Sequence, residues 1–336
     1  MPPVEQPDEV EVVRPDFQLP LAQPFTGIEA ADVGGIGPVV RGKVRDIVDL
    51  GDRLALIATD RLSAFDRVLG TVPYRGQVLT QLSAWWFDRI ADLVPTHLVE
   101  VADPNVTIAR KCRPLPVEVV VRSRLTGTTG TSLWTLYASG ARHVYGMRFP
   151  DGMKKNDPLP RPIITPTTKG SMGAHDRPIS EGDIVDSGLV EARLWDEVRS
   201  IALSVFERGE QAAAEAGLVL VDTKYEFGLD PEGGVVIIDE VHTPDSSRFW
   251  RAATVEERLA AGGEPENLDK EVVRIAFAAQ GFVGEGDPPP LATGLAVRTA
   301  GAYLEVFEVL TGRPLVPASY PATPRVVTAL RSYQRA

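Results

Sequence analysis

Residues 219–250, VLVDTKYEFGLDPEGGVVIIDEVHTPDSSRFW, read as two strands and a turn followed by a polar loop. By the period of two of an extended chain, Leu218, Leu220, Asp222, Lys224 and Glu226 share one face. Val219, Val221, Thr223, Tyr225 and Phe227 share the other. Asp230, Pro231, Gly233 and Gly234 supply the turn. Val235, Ile237, Asp239 and Val241 then lie together on the second strand. Antiparallel pairing across Glu232 and Gly233 puts Glu226 opposite Asp239 on one face. Two opposed carboxylates are destabilising, so the arrangement calls for a cation. Mg²⁺ suits the place, because it is held by one or two carboxylates together with phosphate oxygens. Two alternatives stay open on these residues alone. One is a half-exposed hairpin with a wet polar face. The other is a bulge that turns Asp239 away from Glu226.

The rest of the chain sets bounds on what this hairpin serves. Its 336 residues allow two domains, or one large domain with additions. A net charge of −11 argues against nonspecific nucleic-acid binding but leaves room for local basic sites. Cys112 is the single cysteine, so no intrachain disulfide forms, as suits a reducing compartment. Lys111 and Arg113 flank it and favour a lowered thiol pKa, although an ordinary structural cysteine is the plainer reading. His97, His143, His175 and His242 have no metal-ligand spacing. No apolar run reaches the ~20 residues of a membrane span, and the acidic, proline-rich start is unlike a signal peptide. The expected location is the cytoplasm, and either a monomer or a homodimer is compatible.

Residues 1–25, with prolines at 2, 3, 7, 15, 20 and 24, read as an extended tail. Val39–Leu50 and Leu54–Thr59 read as a hairpin around Gly51-Asp52. Gly37, Gly42 and Lys43 have P-loop spacing, but Val44 stands where a hydroxyl is needed, so a Walker A motif is rejected. Alternation instead puts Lys43 and Arg45 on one face, with Gly42 allowing a ligand close to the backbone, although a basic strand edge is the plainer reading of these residues alone. TDRLSAFDRVLG (59–70) reads as a polar loop. Leu79, Leu82, Trp86, Ile90 and Leu93 mark a helix ending before Pro95, with Trp85 and Trp86 in the core. Pro114 and Pro116 break the chain before a strand over Val117–Val121. Arg122 and Arg124 then precede the glycine- and hydroxyl-rich TGTTGTSLW (126–134), which suits a phosphate or is a simple turn. Residues 145–186 form an irregular loop with Thr165, Thr167, Thr168 and Lys169 as polar candidates. Ser187 caps a long helix to Ala216, stopped by Gly217. Helices are expected over 254–261, 268–279, 291–310 and from 324 on, with Thr323-Pro324 as N-cap and first residue.

Taken together, GKVRDIVDL (42–50), TDRLSAFD (59–66), GQVLTQLSAWWF (76–87), PVEVVVRSRLTG (116–127), TPTTK (165–169), VDTKYEFG (221–228) and IDEVHTPDSSRFW (238–250) resemble one family. It is the phosphoribosylaminoimidazole-succinocarboxamide synthase (SAICAR synthetase) family, whose motifs come in this order. TGTTGTSLWTLY is longer than the short form of many members, and Thr128 stands where serine is usual. The resemblance implies an α+β fold with two β-rich lobes in an ATP-grasp-like arrangement and C-terminal helices. It divides the chain into the tail (1–25), an ATP-covering lobe (26–115), a central lobe with the metal and substrate site (116–252) and a helical region (253–336). It implies that ATP, carboxyaminoimidazole ribonucleotide (CAIR) and L-aspartate give SAICAR, ADP and phosphate, with Mg²⁺ as cofactor.

On this resemblance Gly42, Lys43 and Arg45 cover the ATP phosphates, and Lys224 neutralises the transferred phosphoryl group. Glu226 and Asp239 hold the metal. The backbone of Arg113, Leu115 and Val117 meets the adenine, with Glu118 near the ribose. Arg122, Thr128, Ser247 and Arg248 take the CAIR phosphate, with Asp222 and Asp245 orienting the cations. Asp60, Ser63 and Asp66 are candidates for the imidazole and aspartate end. A small-molecule kinase on a similar frame, or a nucleotide-binding module without turnover, would draw on the same residues.

Overall fold

The computed structural model describes residues 15–130, 132–169 and 177–333. Residues 1–14 of the expected tail, Thr131, residues 170–176 with His175, and 334–336 lie outside the described residues. For 15–25 the extended-tail expectation is corrected. Pro15–Ala22 form a helix (α1), and Phe17 and Phe25 are buried. Those aromatics anchor the segment; Phe17 meets Tyr74 with ring centroids 5.9 Å apart.

The first lobe is a five-stranded antiparallel sheet. Its strands are β1 (Val39–Arg41), β2 (Arg45–Asp49) and β3 (Arg53–Ala58), then, after an excursion, β6 (Leu98–Asp103) and β7 (Val106–Arg110). Their order is β1-β2-β3-β7-β6. The excursion holds β4 (Arg61–Ala64), β5 (Arg67–Thr71) and α2 (Arg75–Arg89). The Gly51-Asp52 turn falls between β2 and β3 as expected. The strand expected before it is split, because the chain reverses at 42–45. There Gly42 N donates to Arg45 O at 2.8 Å, and a Cβ on Gly42 would lie 2.6 Å from that oxygen. Glycine is needed by the turn's own backbone. Residues 59–70 are a hairpin rather than a polar loop. Leu62, Ala64 and Leu69 are buried between the charges, and Phe65 and Asp66 are both left-handed (φ 51° and 60°), a type I′ turn.

The second lobe is built on β8 (Arg113–Arg124). There follow α3 (Leu133–Ala138), β9 (His143–Val144), β10 (Met147–Arg148), β11 (Pro158–Ile164), β12 (Thr167–Thr168) and β13 (Arg177–Pro178). Next come α4 (Glu181–Asp186), α5 (Ala192–Glu215), β14 (Leu218–Leu229), β15 (Val235–Ile238) and β16 (Ser247–Arg251). The sheet runs β13-β12-β8-β14-β15, with β11 also on β8 and β16 on β14. β8 passes through both prolines. Pro116 O accepts from Lys169 N, so by the period of two the missing N–H groups face β12, away from the β14 ladder. The helix expected from Ser187 begins later, at Ala192 with Glu191 as its cap, while Ser187 ends the separate α4 and Gly188 (φ 70°) follows it. Gly217 (φ 74°) follows its end as expected.

Helices α6 (Ala252–Ala260), α7 (Glu271–Ala279), α8 (Thr293–Thr311) and α9 (Thr323–Arg331) complete the chain. Ala322 is the N-cap of α9, so Thr323 and Pro324 are its first two residues. One large core joins both lobes and the C-terminal helices, and Phe307 and Leu310 are part of it. Leu125, Leu133, Tyr137, Val144, Tyr145 and Phe149 form a second, smaller core. Much of the stretch that lacked periodicity is therefore packed on itself. Among the described residues no helix is long and apolar enough to cross a membrane.

Candidate active site

β14 lies between β8 and β16, with Glu226 opposite Glu118, Lys224 opposite Val120 and Asp222 opposite Arg122. Period-two alternation therefore gathers the charges on one face, while Tyr225 and Phe227 enter the core. On the charged face Lys224 Nζ donates to Glu118 Oε1 (2.7 Å) and Glu226 Oε1 (2.8 Å). Lys169 Nζ donates to Glu226 Oε2 (2.5 Å).

The expected pairing of Glu226 with Asp239 is corrected. Glu226 stands opposite Ile238, because the loop 230–234 is centred on Glu232 and not between Glu232 and Gly233. A one-residue slip normally sends a side chain to the wrong face. Here β15 ends at Ile238, and Asp239 is left-handed (φ 72°). That local bend returns the carboxylate to the cleft it shares with Glu226.

Arg45 donates to Asp239 through Nη1 and to Glu240 through Nη2. Burial pushes the Asp239 carboxyl up, but Arg45 and Lys224 outweigh it and hold it well below the usual range. Burial likewise opposes ionisation of Glu226, and Lys224 and Lys169 reverse the effect. Burial pulls the Lys224 ammonium down, yet Glu226, Glu118 and Asp239 together hold it well above its ordinary value. His97, at the back of the cleft, is lowered to about 4 chiefly by burial and is neutral. Both carboxylates and the lysine are thus charged at neutral pH.

Three spaces meet on this face. The first, of about 540 Å³, has an apolar end at Ile47, Leu54, Leu56, Pro114 and Ile238 and a charged end at Lys43, Arg45, Glu226 and Asp239. The second, of about 570 Å³, runs past Ser63, Asp66, Glu118 and Arg274. The third, of about 210 Å³, is walled by Arg122, Asp222, Ser247, Arg248 and Arg274. Lys224 and Lys270 line all three. Lys270 was missed in the sequence, where nothing links it to the hairpin. Its Nζ donates to Asp245 Oδ2 (3.1 Å), which also accepts from Arg75 (2.6 Å). Tyr303 OH donates to Asp245 Oδ1 (2.6 Å). Burial pulls Lys270 below its ordinary pKa despite Asp245.

The third space is edged by alternating charges. Asp222 Oδ2 accepts from Arg122 (2.7 Å) and Arg248 (2.6 Å). Glu271 Oε2 accepts from Arg248 Nε (3.3 Å) and Arg274 Nη1 (2.9 Å). Among these five groups three cations face two anions, which leaves a positive edge.

Not every expected residue lines one of the three spaces with its side chain. Leu115 and Val117 point their side chains into the core, and Arg113 is exposed. Cys112 and Pro114 line the first space instead, and burial pushes the Cys112 thiol up rather than down. Lys43 and Asp66 form an exposed ion pair (2.6 Å) at the mouth. Thr128 donates to Glu271 Oε1 (2.7 Å), and it is Thr129 that lines the second and third spaces. Asp60 is fully buried away from the cleft and accepts from Phe25 N (2.9 Å) and Tyr320 OH (2.9 Å). It anchors the N-terminal segment and the C-terminal helices to the first lobe.

Burial lifts Asp60 from 3.8 to about 6, against the hydrogen bond from Phe25 N. The folded state holds that proton more tightly than the unfolded chain, so stability falls as pH rises from about 4 to 6. The loss is about 3 kcal/mol once pH exceeds the folded value. Asp60→Asn cannot titrate and should lack this decline. Urea unfolding at pH 5 and pH 8 measures it, and equal pH dependence in both proteins would contradict the assignment.

The sequence profile of the SAICAR synthetase family matches residues 38–286. The chain belongs to this family. A phosphoribosylaminoimidazole-succinocarboxamide synthase of Legionella pneumophila (strain Paris) is 50% identical over 291 residues, 85% of this chain and 91% of its own. A SAICAR synthase of Saccharomyces cerevisiae, solved in complex with SAICAR, has a TM-score of 0.73 at 30% identity and covers 87% of this chain and 100% of its own. A type-2 SAICAR synthetase in complex with ADP has a TM-score of 0.64 at 27% identity, over 83% of this chain and 100% of its own. The α+β fold expected from the motifs is the one observed. SAICAR synthetases are ATP-dependent ligases of purine biosynthesis that join aspartate to CAIR. α8 and α9 lie beyond the matched region, yet Tyr303 of α8 reaches Asp245 at the cleft.

Proposed function

We propose that the three spaces hold ATP, the acceptor end of CAIR with aspartate, and the CAIR phosphate, and that ligation runs through an acyl phosphate. The observation that carries this is the convergence of all three spaces on Lys224 and Lys270. A carboxylate is a poor electrophile. Its oxygen attacks the γ-phosphorus, a C–O–P bridge forms, and the bond to ADP breaks. The aspartate amine then attacks the acyl carbon, the C–N bond forms, phosphate leaves and the amine gives up a proton. Such transfers need positioning and charge neutralisation more than covalent help from the protein.

Lys224, held cationic, faces the transferred phosphoryl group; Lys43 and Arg45 approach the ATP phosphates. The apolar end receives the adenine, with Glu118 near the ribose. Lys270, Ser63 and Asp66 border the second space, where the amine enters. Arg122, Arg248, Arg274 and Ser247 take the CAIR phosphate, for which guanidinium forks are suited.

Mg²⁺ fits the donor set. Glu226 and Asp239 are ionised, share one cleft face and already draw Lys169, Lys224 and Arg45 to themselves. They would hold the ion, which would supply positive charge against the phosphates. A cytoplasmic monomer or homodimer acting on these small molecules is the form we propose.

The test is product formation. ADP should appear in step with SAICAR, and only when CAIR and aspartate are both present. SAICAR formed without ATP, or ADP and a stable phosphorylated product from one acceptor, would overturn the reading. Arg248→Ala should raise the CAIR KM roughly 30-fold, as expected for charged hydrogen bonds. The ATP KM should stay within about 2-fold. Equal weakening of both would contradict the role given to Arg248.

A further inference from the structure

We propose that Glu271 is a positioning residue for the phosphate recess, and that Thr128 locks the glycine-rich loop onto it. The proposal rests on the reading above, in which that recess takes the CAIR phosphate. Glu271 is buried and lines none of the three spaces, so its effect passes through Arg248 and Arg274.

Glu271 is 4% exposed and is the first residue of α7, where a negative side chain meets the positive end of the helix. Asp269 Oδ1 takes its N–H (2.6 Å), which fixes the backbone. Each carboxylate oxygen then has its own task. Oε2 holds Arg274 Nη1 (2.9 Å) and one edge of Arg248, whose other edge is held by Asp222. Arg248 is thus clamped from both sides, and its planar fork cannot rotate without breaking two charged contacts. Oε1 accepts from Thr128 Oγ1 (2.7 Å). Burial pushes Glu271 up, but Arg248 and Arg274 outweigh it and hold it at about 2, so the clamp stays charged at working pH.

Thr128 belongs to a loop that is itself fixed. Gly127 has φ 113°, and a Cβ there would lie 2.4 Å from Ser132 Cβ and 3.4 Å from Arg248 Nη2. The loop therefore lies beside Arg248, and its close approach to Ser132 leaves room only for glycine. Ser132 caps α3, and Thr126 donates to Asn156 Oδ1 (2.6 Å). Both tie the loop to the smaller core at 125–163. The Thr128–Glu271 bond is where this separately packed segment meets the arginine row. Through it the smaller core sets the position of the groups that read the phosphate.

Thr128→Val keeps the shape and removes the donor. It should raise the CAIR KM about 10-fold, the low end for one hydrogen bond to a charged group, with ATP KM and kcat within about 2-fold. Thr128→Ser should recover the lost affinity. Glu271→Gln should raise the CAIR KM further while keeping an acceptor for Thr128. CAIR and ATP KM rising together, or no recovery in Thr128→Ser, would show a merely structural role. If Glu271→Gln does not fold, the Thr128 pair still decides. Calorimetric titration with CAIR separates the two levels of the argument. A wild type that binds CAIR but forms no SAICAR overturns the ligase reading alone. Unaltered CAIR affinity in folded Thr128→Val overturns the proposal made here.

Discussion

Lys224→Met is expected to lower kcat by about 10³-fold, the usual scale for losing one preorganised charge donor at a reacting centre. The ATP KM should change far less, because Lys43 and Arg45 remain. The reason lies in how the ammonium is held. Glu118 and Glu226 fix it at 2.7 and 2.8 Å from either side, so it needs no reorientation when charge develops. Those carboxylates and Asp239 outweigh burial and raise its pKa, so it cannot serve as a base. Two outcomes follow from that sign. The pH–rate profile of the wild type should show no loss from Lys224 deprotonation up to pH ~10. Lys224→Arg should also keep more activity than Lys224→Met, since a charge and not a proton transfer is needed. A wild-type rate that rises between pH 7 and 9 and loses that rise in Lys224→Arg would instead make the lysine a base. Single-turnover formation of ADP from bound ATP reads the step directly.

What the sequence made legible was local. Alternation in β14 set Asp222, Lys224 and Glu226 apart from Tyr225 and Phe227, and the structure keeps that division. The family motifs gave the fold, because their order along the chain does not depend on geometry. Register was less legible. The difference between a loop centred on Glu232 and one centred beside it is a single residue, and Asp-Pro-Glu-Gly-Gly is compatible with both. Asp239 reached the expected cleft only because its left-handed backbone undoes the slip. Prolines misled in β8, since their missing N–H groups face the side of the two-residue β12 and leave the long β14 ladder intact. Lys270, Arg274, Arg75 and Tyr303 had no local signature. They join the site through docking of α7, α8 and α2, which bring residues far apart in the chain to Asp245 and Glu271. Asp60 failed in the opposite way. A carboxylate in a motif looked like a ligand, yet its environment is a buried anchor for Phe25 and Tyr320.

Asp239→Asn and Glu226→Gln should each cut turnover roughly 10²- to 10³-fold. Each should also raise the Mg²⁺ concentration for half-maximal rate. Both substitutions are nearly isosteric. Asparagine tolerates the left-handed backbone at position 239 as well as aspartate does, so the fold should persist. The two should still differ in a readable way. Asp239→Asn would leave Arg45 with Glu240 as its remaining anion, whereas Glu226→Gln would leave Lys224 with Glu118 and free Lys169. An added positive charge near the phosphates can hold ATP while failing to replace the metal. Glu226→Gln should therefore retain the tighter ATP binding of the two. The sign for pH follows from the lowered carboxyl pKa of both residues. They stay ionised as pH falls through the ordinary carboxylate range, so their own protonation should not raise the Mg²⁺ requirement between pH 5 and 8. Metal titration of the ATP-loaded protein, followed by calorimetry alongside the rate, tests this without relying on activity alone. Near-native rates and unchanged metal affinity in both variants would remove Glu226 and Asp239 from the metal site. The charged face would then have to work through Lys169, Lys224 and Arg45 without a divalent ion.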